Sequence, residues 1–84
     1  MLRFEARDPS RNLARRYSIA VSQDLFGATV VDLAWGRIGW AGQQRRHAFD
    51  HADAAERFVA LVLRQRARAP RRIGVAYQQV SARS

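Results

Sequence analysis

Apolar residues recur first at every second position of the chain and later at every third or fourth. In Tyr17-Ser18-Ile19-Ala20-Val21 they fall at 17, 19 and 21, the period-two pattern of a strand with one buried face. Residues 28–35 hold three β-branched side chains in eight positions and read as the firmest strand. Between the two, Asp24 and Gly27 supply turn chemistry around Leu25 and Phe26. Residues 2–6 read as a short strand ended by the turn-like Asp8-Pro9-Ser10. Gly39-Trp40-Ala41-Gly42 suits the reversal of a hairpin. That makes 43–49 the returning strand, although its own β-propensity is poor.

From residue 51 the period lengthens. Ala55, Phe58, Val59 and Val62 recur at helical spacing, with Ala54 and Leu61 beside them, and predict an amphipathic helix over 51–68. Asp50 is the expected N-cap. Asp53 and Glu56 suit the positive end of the helix dipole, and Arg64, Arg66 and Arg68 the negative end. Pro70 is expected to stop the helix. Ile73, Val75 and Tyr77 alternate again and predict a last short strand, with residues 81–84 frayed. Strands followed by one helix define an α+β domain. The expected architecture is an antiparallel sheet of four to five strands with one long amphipathic helix packed on one face.

Composition narrows the function. With 84 residues, one domain over 1–84 is expected, without room for a separate catalytic module. The absence of cysteine excludes disulfides, zinc fingers and thiol nucleophiles. The longest apolar run, residues 58–63, is six residues long. A membrane span needs about 20. The first residues carry no stretch of signal-peptide length, so cytoplasmic residence and no membrane partner are expected.

Charge adds more. Fifteen basic residues, every one an arginine, stand against seven acids, for a net charge of +8. The excess is lopsided. Residues 1–56 carry eight arginines and seven acids, a net of +1; residues 57–84 carry seven arginines and no acid. Guanidinium is permanently charged and presents a planar fork of donors that matches phosphate. Such a balance is the electrostatic footprint of a nucleic-acid binder. A soluble, self-repelling surface is the plainer explanation.

Catalytic chemistry finds little support. His47 and His51 are four residues apart, but one falls on a strand and the other at a helix start. The nearby acids serve as helix caps, and a metal would need further ligands. No catalytic residue, metal or cofactor is assigned, and the chain is not expected to be an enzyme. Gly36 and Gly39 match neither a dinucleotide-binding loop nor a backbone-clamping loop between helices. They suit a twist and a tight turn at a strand end.

Trp35-Gly36-Arg37 is the sharpest feature. On an extended segment, residues two apart share a face, so Trp35 and Arg37 project side by side. Indole against a base or sugar and guanidinium against phosphate make a nucleotide-binding surface. Trp35 as a core residue with a solvated Arg37 is an equally good reading of the same spacing. Arg45 and Arg46 on the returning strand extend a positive groove, and Arg15 and Arg16 before the 17–21 strand enlarge it. Trp40, in a glycine-flanked loop, reads as exposed and free for contact.

Trp35-Gly36-Arg37-Ile38-Gly39 followed by Gly42-Gln43 resembles the WGR domain family. The likeness extends through Arg16-Tyr17-Ser18-Ile19-Ala20-Val21, Asp24-Leu25-Phe26-Gly27, Phe49-Asp50 and the helix, roughly residues 11–70. It is nearest to small bacterial stand-alone members. The resemblance implies an antiparallel sheet with one helix and binding of DNA ends, as in poly(ADP-ribose) polymerases. There the tryptophan matching Trp35 packs on the sugar of a terminal nucleotide. The arginine matching Arg37 contacts the backbone and neighbouring domains. Asp32 departs from the family pattern, which places an apolar or aromatic residue there. Either that face is less buried, or Asp32 pairs with an arginine. Trp40 stands where a small or basic residue is usual.

The expected function is therefore a non-catalytic module binding DNA, or alternatively RNA. Its contacts are Trp35, Gly36, Arg37, Gly39, Trp40, Arg45, Arg46, Arg15 and Arg16. Arg64, Arg66, Arg68, Arg71 and Arg72 add a nonspecific contribution. The alternative is a protein-interaction module using a surface of Trp35 and Trp40.

Overall fold

A computed structural model describes residues 1–80, the Arg72 side chain excepted. The expected fraying of 81–84 lies outside the described residues. Four strands follow in sequence: β1 (Leu2–Asp8), β2 (Leu13–Gln23), β3 (Thr29–Arg37) and β4 (Gln43–Phe49). Helix α1 (Ala52–Ala67), a short helix α2 (Ala69–Ile73) and an edge strand β5 (Gln78–Val80) complete the chain. The sheet is antiparallel, in the order β4-β3-β2-β1-β5. The fold is α+β, with the sheet covered on one face by α1.

Register decides which side chains meet. Residues directly opposite on neighbouring strands share a face. Leu2 pairs with Ile19 and Phe4 with Tyr17. Ile19 in turn faces Leu33, and Tyr17 faces Trp35. With Val31, His47 and Phe49 these side chains point toward α1, which returns Ala55, Phe58, Val59, Val62 and Leu63. Ile19 and Val31 are fully buried. Each contributes about 1.5–3 kcal/mol by leaving water. The opposite face carries Ser18, Ala20, Asp32, Ala34 and Arg46 and has no helix over it. There Arg46 donates two hydrogen bonds to the Asp32 carboxylate, at 2.7 and 3.2 Å. The unusual acid in the firmest strand thus pairs with an arginine on the uncovered face.

Several element bounds differ from expectation. Strand β2 runs from residue 13 rather than 17, because β1 and β3 flank it on both sides and satisfy its backbone. Backbone pairing needs no apolar side chains, so polar Arg15 and Arg16 continue the strand. The N-cap of α1 is His51, with no side-chain cap hydrogen bond, instead of Asp50. Pro70 lies in the first turn of α2, where its missing N–H leaves no bond unmade. α1 has already ended at Ala67, so Pro70 begins a helical turn and does not terminate one. The last strand is Gln78–Val80 in place of 73–77, since Ile73 closes α2 and Tyr77 packs on the core.

The β3–β4 loop is held by backbone proximity. Gly36 has φ +149° and Gly42 φ +68°, and the two backbones touch. A Cβ on Gly42 would collide with the Trp35 carbonyl, and one on Gly36 would lie 2.8 Å from Gly42 Cα. Arg16 fastens the same loop, donating to the carbonyls of Trp40 at 2.7 Å and Ala41 at 2.6 Å.

Candidate nucleic-acid interface

Where β2 begins and β3 ends, an open groove of about 990 Å³ lies between the sheet and α1. Its lining includes Tyr17, Trp35, Phe58 and Val62, with Arg15, Arg37, Arg45 and Arg66 around them. The alternation of β3 explains the placement: Leu33, Trp35 and Arg37 are successive residues on the helix-covered face. Arg15 lies directly opposite Arg37, and Arg45 opposite Leu33, on that same face.

Trp35 is half-buried. Its ring lies beside that of Tyr17, with centroids 6.2 Å apart and planes 20° from parallel. The Arg66 guanidinium sits 4.1 Å from the centre of the Tyr17 ring. Cation–π geometry of this kind contributes about 0.5–2 kcal/mol. Arg66 Nε is buried without a hydrogen-bond partner among the described residues. Burial pushes the Tyr17 hydroxyl pKa up; Arg66 partly opposes this, and Tyr77 adds to it.

Arg37 is exposed but anchored. It donates to the Asn12 carbonyl and to Asn12 Oδ1, both at 3.0 Å. Asn12 has φ +52° and closes the short 3₁₀ turn Pro9–Arg11 between β1 and β2. Two of the five guanidinium N–H groups are thereby used. The arginine ties that turn to the end of β3, and its other donors stay available.

The residues expected to act together divide between two faces. Trp35, Arg37, Arg45 and Arg15 come together in the groove, with Gly36 beneath them. Arg46 is one residue from Arg45 and points to the uncovered face, engaged by Asp32. By register Arg16 falls on that face too, and its guanidinium holds the loop, although the residue also borders the groove. Trp40 is 69% exposed. With Gly39 it borders a smaller depression beside Arg3, Arg16, Tyr17 and Ser18. Trp35 and Trp40 therefore line two different depressions, which have Arg16 and Tyr17 in common. Tyr17 and Arg66 enter the groove without having been assigned to it. The signal was helical spacing: Arg66 follows buried Val62 by four residues, on the helix's inner face. His47 packs against Phe58, with ring centroids 4.6 Å apart. Among the described residues, no three His, Asp or Glu groups are placed to hold a metal ion. Among the same residues, no helix is long and apolar enough to cross a membrane.

These features define a class: a five-stranded antiparallel module with one covering helix and an arginine-rimmed aromatic groove at the strand ends. Residues 1–69 match the WGR domain family, and the chain belongs to that family. It is also similar to a protein of Sinorhizobium fredii (strain NBRC 101917 / NGR234) described as uncharacterized protein y4dW. The two are 42% identical over 65 residues, which make up 77% of this chain and 32% of that protein. The chain thus spans about a third of the length of the curated relative it matches. No solved structure matches it significantly.

Proposed function

We propose that the chain is a non-catalytic nucleic-acid-binding module that takes DNA, with preference for an open end, in the groove between α1 and the ends of β2 and β3. One observation carries this reading. The groove brings half-buried Trp35 together with Arg15, Arg37, Arg45 and Arg66, and among the described residues no acidic residue lines it. A terminal nucleotide stacks its sugar or base on Trp35, and the arginines neutralise the following phosphates. Gly36 and Gly42 let the two sides of the loop approach closely behind Trp35. Arg16 and Arg46, engaged on the other face, are left out of the contact set. The helix-end arginines Arg64, Arg68 and Arg71 add long-range attraction.

The test is a fluorescence-anisotropy titration of a 5′-phosphorylated blunt duplex against a closed dumbbell of the same sequence, at two salt concentrations. Tighter, salt-sensitive binding of the open duplex supports the reading. Equal binding of both removes the preference for ends, and no binding at low salt removes the nucleic acid.

A further inference from the structure

At the opposite end of the molecule the chain displays its least protected apolar residues. Leu25 is 99% exposed and Phe26 94%, at the tip of the β2–β3 hairpin, with Val21 57% exposed on the adjoining strand. The tip is fixed in shape. The Asp24 carboxylate accepts from the amides of Phe26 and Ala28, each at 2.9 Å. The Asp24 amide donates to the Ala28 carbonyl at 3.0 Å, and Gly27 donates back to Asp24 at 3.2 Å. Two large apolar side chains are thus held in water on a preformed turn. A preformed turn loses little conformational freedom on docking.

The surroundings of this knuckle have the sign opposite to the rest of the molecule. Thr29, where the tip rejoins β3, pairs with Phe49, so Asp50 and the first turn of α1 lie beside it. Residues 22–29 and 50–56 together hold Asp24, Asp50, Asp53 and Glu56, and no arginine. Four of the seven acids thus gather at one end of a chain with net charge +8. Asp50, Asp53 and Glu56 are exposed. Among the described residues, the ion pairs involve other acids: Glu5, Asp8 and Asp32.

The complement of an acidic, apolar knuckle is an apolar hollow with a basic rim, and this chain carries one. The groove is lined by the apolar Trp35, Leu61 and Val62 together with the basic Arg15, Arg37 and Arg45. One molecule cannot dock with itself. Thr29 and Arg37 are eight residues apart along β3, which is about 26 Å at ~3.3 Å per residue. We propose that a second copy of this chain is the occupant: the Leu25–Phe26 knuckle of one molecule enters the arginine-rimmed groove of the next. Such a contact joins two different surfaces and leaves a free knuckle and a free groove at the ends, so it propagates as a head-to-tail chain. Its small area makes it weak and transient. Because the groove is the one proposed for nucleic acid, self-association and nucleic-acid binding compete there. The contact itself needs no nucleic acid.

Sedimentation velocity on the nucleic-acid-free protein tests this, across the micromolar-to-millimolar range at low and high salt. The wild type is expected to sediment faster with rising concentration at low salt and to lose that trend at high salt. Phe26→Ser and Arg45→Glu, both at exposed positions, are each expected to abolish the trend while retaining the wild-type circular dichroism. Mixing the two variants is decisive. The intact groove of Phe26→Ser accepts the intact knuckle of Arg45→Glu, so the mixture forms a dimer and stops there. Absence of wild-type association at low salt, association that survives Phe26→Ser, or a mixture that stays monomeric would each overturn the proposal. Failure of the duplex titration would leave these outcomes unaffected, so the two readings fail separately.

Discussion

Trp35 and Tyr17 face each other across β2 and β3, with near-parallel rings 6.2 Å apart. Tyr17 is only 4% exposed, whereas Trp35 is half-buried. The pair forms the border of the core: Tyr17 closes it, and half-buried Trp35 packs on the core and also lines the groove. A core role and a binding role for the same tryptophan are therefore compatible, because part of its surface stays exposed.

Substitution at Trp35 therefore reads out twice. Trp35→Ala is expected to lower stability by about 2–3 kcal/mol, below the range for a fully buried aromatic. Trp35→Phe keeps most of the packing while reducing the stacking area. Urea unfolding with duplex titration separates the effects: Trp35→Phe should fold nearly as stably as wild type, and Trp35→Ala should weaken duplex binding by ~1–3 kcal/mol. Unchanged affinity in Trp35→Ala would remove Trp35 from the site.

Tyr17 makes alkaline stability pH-dependent. Burial, the largest cause, raises its pKa above the ordinary value of 10.0. The folded chain then holds the phenolic proton more tightly than the unfolded chain does. Its contribution is fully present below pH 10 and is lost as pH rises through the folded pKa. Unfolding free energy measured against pH should fall in that alkaline window, and Tyr17→Phe should flatten the fall.

Gly42→Ala should disrupt the loop behind Trp35. The residue needs φ +68°, and its new Cβ would collide with the Trp35 carbonyl. Backbone strain of this kind costs about 1–3 kcal/mol before any clash is relieved. Thermal melting should register at least that loss. Duplex affinity should fall as well, since the collision displaces the strand segment that carries Trp35.

On the proposed reading, the groove arginines set the salt response of duplex binding. Contacts from Arg15, Arg37, Arg45 and Arg66 to about four phosphates give a slope of log affinity on log salt near −3.6 for duplex DNA. Removing one phosphate contact, as in Arg15→Ala, should make the slope shallower by about one. A slope that does not change with Arg15→Ala would place that side chain outside the interface.

Much of the fold was legible because burial imposes periods. Ile19 and Leu33 on strands, and Ala55, Phe58 and Val62 on the helix, gave the sheet, the helix and their facing sides. The features missed came from hydrogen bonding with no apolar signature. β2 extends through Arg15 and Arg16 because two neighbours pair with it. Asp50 resembles a cap, yet the chain enters α1 one residue later, at His51. The arrangement of the candidate site was only partly legible. Arg45 and Arg46 are indistinguishable as sequence, and only the register of β4 on β3 sends one to the groove and the other to Asp32. Arg37 and Arg16 likewise looked free until Asn12 and the Trp40–Ala41 carbonyls came within reach.

That pair of neighbours offers the most direct test of the proposed nucleic-acid site. Arg45→Ala and Arg46→Ala remove the same charge from adjacent positions of one strand and differ in the face they empty. Titration of both against the open duplex at low salt should show several-fold weaker binding for Arg45→Ala and near wild-type binding for Arg46→Ala. Equal losses in the two variants, or the larger loss in Arg46→Ala, would contradict binding in the groove beneath α1.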